Sequence, residues 1–138
     1  MIDATGREIS QGDLMLELNN GWSNIHMAYN GFSPQYCRTI VINQYPYPRP
    51  GIVTPTFYKS KSKPKSLIIL NDEQITSYIE RKILDLQNRY VNQVLDAERQ
   101  ETHNQRVEMV TNSFASLLTF SQAIKYGQAI DEYIRVLK

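Results

Sequence analysis

Apolar residues change their spacing at Leu70, and that change limits the fold more than any other feature of the chain. Upstream, they come in short runs of strand length separated by turn-forming residues. Downstream, they recur every three or four positions, as on one face of a helix. A chain built this way is expected to be α+β, with a small sheet over residues 1–70 and helices over 71–138.

In the first half, Leu14-Met15-Leu16-Glu17-Leu18 follows the Gly12-Asp13 turn and precedes Asn19-Asn20-Gly21. Asn and Gly tolerate positive φ, so the latter reads as a turn. Residues 25–29 form the next run, with a further turn at Asn30-Gly31. Residues 37–42 are rich in β-branched side chains and predict a strand. The loop over 45–51 carries three prolines. Proline lacks the amide proton that a central strand donates, so this loop belongs at a sheet edge or outside it. Residues 52–58 predict another short strand and 67–70 the last. Strands so spaced predict an antiparallel sheet curled into a small β-barrel.

In the second half, Asn71 or Asp72 can cap a helix, with Asp72 and Glu73 in its first turn. Ile75, Ile79, Ile83, Leu86, Tyr90, Val94 and Ala97 then mark a helix from 71 to about 101, roughly 45 Å long. A 70-residue barrel is too small to cover it. The stripe of Ile79, Ile83, Leu86, Tyr90 and Val94 is therefore expected to meet the chain's own second helix or another subunit, and the helices to carry a homo-oligomer. Val107, Val110, Phe114, Leu117, Leu118 and Ile124 mark the second helix. Residues 102–105 supply the turn, with one continuous helix as the alternative. After Tyr126-Gly127, Ala129, Ile130, Tyr133, Ile134 and Leu137 describe a last short helix. The expectation is a helical hairpin with a long first helix.

Three segments bear on ancestry. They are the opening Gly6-Arg7-Glu8-Ile9-Ser10-Gln11-Gly12-Asp13-Leu14-Met15, then Met27-Ala28-Tyr29-Asn30-Gly31-Phe32, then Arg38-Thr39-Ile40-Val41-Ile42. With Leu67-Ile68-Ile69-Leu70 as closing strand, this layout resembles small KOW-type barrel proteins, most of all the accessory proteins of tailed phages. The resemblance covers about residues 5–70. His26-Met27 stands where that pattern has a glycine and a small β-branched residue, and the proline loop is an insertion. The resemblance implies a phage protein that binds host machinery, DNA or RNA, during takeover or counter-defence.

Charge points the same way. The chain's net charge is +1, but between Glu17 and Asp72 it has no carboxylate at all, while holding Arg38, Arg49, Lys59, Lys61, Lys63 and Lys65. Such a stretch suits a polyanion. Lys59, Lys61, Lys63 and Lys65 alternate, so an extended backbone would place all four on one side at about 6.6 Å intervals. The plainer alternative is a solvated edge guarded by lysine and proline against unwanted pairing. Tyr45, Tyr47 and Tyr58 are candidates for stacking on bases. Trp22 reads as a lid over the barrel.

Chemistry is harder to find. His26 and His103 are far apart, with no partner at metal-ligand spacing, so no metal is expected. Cys37 with His26 as base is outweighed by a plain core thiol. No glycine-rich phosphate cradle occurs. One cysteine cannot bridge internally, which fits a reducing cytoplasm, and no apolar run nears the roughly 20 residues that span a bilayer. The expected function is binding without catalysis or cofactor. Nucleic acid, or a host complex that processes it, is the expected partner, engaged by occlusion or recruitment. The alternative is an oligomeric sponge for a nucleotide messenger.

Overall fold

The computed structural model describes residues 1–18, 24–33, 35–49, 51 and 53–127, with backbone alone for 30–32. Strands β1 (Leu14–Glu17), β2 (Ile25–Phe32), β3 (Cys37–Ile42), β4 (Phe57–Ser62) and β5 (Leu67–Ile69) form one antiparallel sheet in the order β4-β3-β2-β1-β5. Helices α1 (Asp72–Asn88) and α2 (Ala97–Lys125) follow. The turn at 19–21, Trp22 and the short helix expected beyond Gly127 lie outside the described residues.

The sheet is strongly curled. Strands β4 and β5 are its opposite edges, yet only residues 63–66 separate them. Ser62 aligns through Cys37 with the Phe32 end of β2, whereas Leu67 aligns through β1 with the Ile25 end. In a flat sheet four inter-strand steps alone come to about 19 Å. Five residue steps reach at most about 18 Å when fully extended. This link is shorter still, because Pro64–Ser66 is a 3-10 turn. Among the described residues β4 and β5 do not pair, so the sheet is curled but unclosed.

Two expected boundaries move. Asn30-Gly31 is not a turn between strands. It lies within β2, which takes four residue steps from Ala28 to Phe32 against two in β3 from Thr39 to Cys37, a bulge that bends the strand. The lysine tract is itself a strand for part of its length, because β4 extends to Ser62.

The two faces of the sheet have separate cores. On one, Leu14, Ile25, Met27, Ile40, Ile42 and Phe57 pack under Ile75 of α1 and Val110, Phe114 and Leu117 of α2. On the other lie Met15, Ala28, Cys37, Leu67 and Ile69 with Ile9. Sheet and helices thus share one core, and each fully buried Phe or Leu in it contributes about 1.5–3 kcal/mol.

The helix boundaries also differ from expectation. A capping box between Asn71 and Gln74 starts α1, which ends at Asn88 after 17 residues, about 25 Å. The longer helix is the second, at 29 residues. Asp96 starts it by accepting a hydrogen bond from the Arg99 amide, so the break falls over 89–96 and the polar stretch 102–105 lies inside α2. There His103 is buried. Hydroxyls and an amide fasten α2 to the sheet half: Ser113 Oγ accepts from the Thr56 amide at 3.0 Å, Asn112 donates to the Val53 carbonyl at 2.8 Å, and Ser121 donates to the Gly12 carbonyl.

Candidate nucleic-acid interface

Antiparallel register decides which cations meet. Arg38 is directly opposite Lys61 and Ile40 opposite Lys59 across the β3–β4 ladder. Side chains alternate faces along a strand, so Arg38, Lys59 and Lys61 share the face that carries Ile42 and Phe57. The helices cover the Phe57 end, where Phe120 of α2 approaches its ring to 5.7 Å. They leave Arg38, Lys59 and Lys61 exposed. Tyr29 packs on the same core from β2.

Together these residues bound a hollow of about 410 Å³, lined by Tyr29, Arg38, Ile40, Lys59 and Lys61 with Thr39 and Ser60. Lys61 Nζ stands 5.1 Å from the centre of the Tyr36 ring, a cation–π contact that holds the ammonium group in place. No carboxylate lines the hollow. Among the described residues none of the three cations forms an ion pair.

The other expected cations lie elsewhere. Lysines 59, 61, 63 and 65 do not form one row, because the strand stops at Ser62 and the turn over Pro64–Ser66 breaks the period of two. Lys63 and Lys65 are exposed but do not line the hollow, and neither does Arg49, exposed in the connection between β3 and β4.

The three expected stacking rings do not gather at the cations. Tyr58 is on the opposite face of β4, paired with Val41. Tyr47 is 93% exposed. Tyr45 lies against Arg89, whose guanidinium carbon is 5.4 Å from the ring centre. Tyr29 and Tyr36 take the place expected for them. Their signal in the sequence was parity, since Tyr36 and Arg38 are two apart, but the bulge hid the placing of Tyr29.

The expected interaction stripe is mostly used internally. Ile79, Ile83 and Leu86 pack against the chain's own core. Tyr90 meets His103 edge-on at 5.2 Å, and Val94 is fully exposed in the 89–96 connection. Among the described residues, the large apolar side chains left exposed on the helical half are Leu84, Val91, Val94, Leu118 and Tyr126.

Cys37 and His26 do not form a nucleophile–base pair. Burial pushes the Cys37 thiol up to about 11, so the reactive thiolate is scarce at neutral pH. His26 is buried, with Nδ1 2.9 Å from the Thr39 hydroxyl and Nε2 3.2 Å from the Glu17 carboxylate. Burial drives its pKa down, against the opposing pull of Glu17. A neutral ring that donates from Nε2 to Glu17 and accepts at Nδ1 from Thr39 satisfies all three groups. The arrangement braces three neighbouring strands.

Among the described residues no group of three His, Cys, Asp or Glu side chains is placed to hold a metal ion. No helix among them is long and apolar enough to cross a membrane. Searches of family models, curated proteins and solved structures find no match to this chain.

Proposed function

We propose that the chain is a non-enzymatic binding protein whose β3–β4 face engages nucleic acid, either alone or within a host complex. One observation carries this reading. Arg38 faces Lys61 across two strands, with Lys59 beside them and no carboxylate in the hollow they line. Like charges directly opposite each other destabilise a sheet. A phosphate backbone would turn that repulsion into attraction, and Tyr29 and Tyr36 supply aromatic surface alongside. Binding there acts by occlusion or recruitment, with no bond made or broken.

This reading keeps the resemblance of residues 5–70 to KOW-type phage accessory proteins as its working ancestry. It includes closure of the curled sheet as a barrel, packing of α1 and α2 as a hairpin, and action in the host cytoplasm. For self-association the helical half offers Leu84 and Leu118 on its helices, Val91 and Val94 in the 89–96 connection and Tyr126 after α2, in place of the Ile79–Leu86 stripe.

A second reading, capture of a free nucleotide, draws on the size of the hollow. About 410 Å³ lies within the roughly 300–1,000 Å³ typical of small-ligand pockets.

Amide chemical shifts on adding a single-stranded octanucleotide test the assignment. Residues 38–40 and 59–61 are expected to shift first and to saturate together. Shifts centred elsewhere would reject this face. Saturation by a mononucleotide at equal affinity would favour the second reading.

A further inference from the structure

A second hollow, of about 210 Å³, opens between α1, α2 and the start of the β3–β4 connection. Leu86, Val110 and Phe114 give it an apolar floor, the last two almost completely buried. Tyr45 forms one wall, and Lys82 and Arg89 stand beside it. Arg89 lies against two rings, its guanidinium carbon 5.4 Å from the centre of Tyr45 and 5.8 Å from that of Tyr90. Lys82 Nζ lies 5.5 Å from the centre of the Tyr78 ring. One acid, Asp85, also lines the hollow, yet neither cation comes within ion-pair distance of it.

We propose that this hollow is a binding site for a small planar monocarboxylate, one aromatic ring in width. Size sets the first limit. A cavity of about 150 Å³ admits benzene, so 210 Å³ takes one ring with a substituent and is too small for a nucleotide. Leu86, Val110 and Phe114 supply apolar contact for a ring, with Phe114 and Tyr45 as its aromatic neighbours. Charge sets the second limit. Arg89 presents a planar fork already immobilised by its rings, the geometry that pairs with a carboxylate, and Lys82 adds a second positive charge. Asp85 repels any further negative group, which favours a single carboxylate over a dianion such as a phosphate monoester. The site shares no residue with the Arg38–Lys61 hollow. Its occupant would join the Tyr45 segment to both helices.

Benzoate is the probe, titrated into the full chain carrying 13C-labelled methyl groups. Saturable shifts are expected at the Leu86 and Val110 methyls. Benzamide, of the same shape but neutral, is expected to bind at least tenfold more weakly. Arg89→Gln should weaken benzoate about tenfold and leave benzamide within twofold, and Lys82→Gln should cause a smaller loss of the same sign. Both side chains lie at the rim, so neither substitution removes core packing. Equal affinity for benzoate and benzamide, shifts that never saturate, or unchanged benzoate binding by the Arg89→Gln chain would each overturn the proposal. Because the two hollows share no lining residue, failure of the nucleic-acid reading would not alter these results.

Discussion

Arg38 and Lys61 occupy directly opposed positions on adjacent strands, on the same face, with no carboxylate lining the hollow they share. Stability alone does not favour that pairing. Arg38→Gln is therefore expected to stabilise the free protein by about 0.2–1 kcal/mol, the range for cross-strand charge pairs. A denaturant midpoint that rises while oligonucleotide affinity falls would separate a binding role from a structural one. A midpoint that falls would show that Arg38 serves the fold.

Gly12 is where the turn before β1 touches α2. Its φ is +87°, and a Cβ there would lie 3.1 Å from the Ser121 carbonyl oxygen and 3.2 Å from Ile124 Cγ2. Gly12→Ala meets both a strained backbone and a tight contact with α2, and should cost about 1–3 kcal/mol. Gly6, also at positive φ, has open space around its missing Cβ. Comparing the chemical-denaturation midpoints of the two alanine variants isolates the contact with α2, and equal losses would contradict it.

Acid should weaken the fold in two separate windows. Burial lowers the pKa of His26 below its ordinary 6.5 despite Glu17. Its contribution is therefore complete above about pH 6.5 and lost as pH falls below that value, because the unfolded chain binds the proton first. Asp3 acts lower. Burial alone would raise its carboxyl, but hydrogen bonds from the Ile69 and Arg7 amides and from Thr5 outweigh it and hold it at about 2. Its contribution is complete above about pH 3.8 and disappears towards pH 2. Unfolding free energy measured against pH should lose the first slope in His26→Gln and the second in Asp3→Asn. A variant with the wild-type slope would refute the corresponding assignment.

Cys37 should resist a thiol reagent in the folded protein. It is completely buried, and its pKa is pushed up to about 11. Labelling at pH 8 is expected to be at least a hundredfold slower than in denaturant, following the small open fraction. Labelling at the rate of an exposed thiol would contradict the burial of the second core.

The strands were legible because Cys37–Ile42 is β-branched and its neighbours are bounded by glycine, asparagine and proline. The division of the helices was not. The buried stripe of α2 includes His103, Ser113 and Ser121, which bond to or pack against the fold but look like surface residues in a sequence. For Ile79, Ile83 and Leu86 the sequence left two partners open, the chain's own second helix or another subunit, and all three pack, partly buried, against the core that the sheet and both helices build. Three of the six candidate cations, Arg38, Lys59 and Lys61, come together because register and parity are local properties of adjacent strands. Lys63 and Lys65 part from them at a proline turn whose course depends on the curl of the whole sheet.

The salt dependence of single-stranded oligonucleotide binding tests the central claim most directly, measured on the wild type and on an Arg38→Gln, Lys59→Gln, Lys61→Gln variant. Three phosphate contacts predict a slope near −2 for log affinity against log salt. In the triple variant that slope should approach zero and affinity should fall at least tenfold. A variant that binds as tightly as the wild type, with the same slope, would contradict the account.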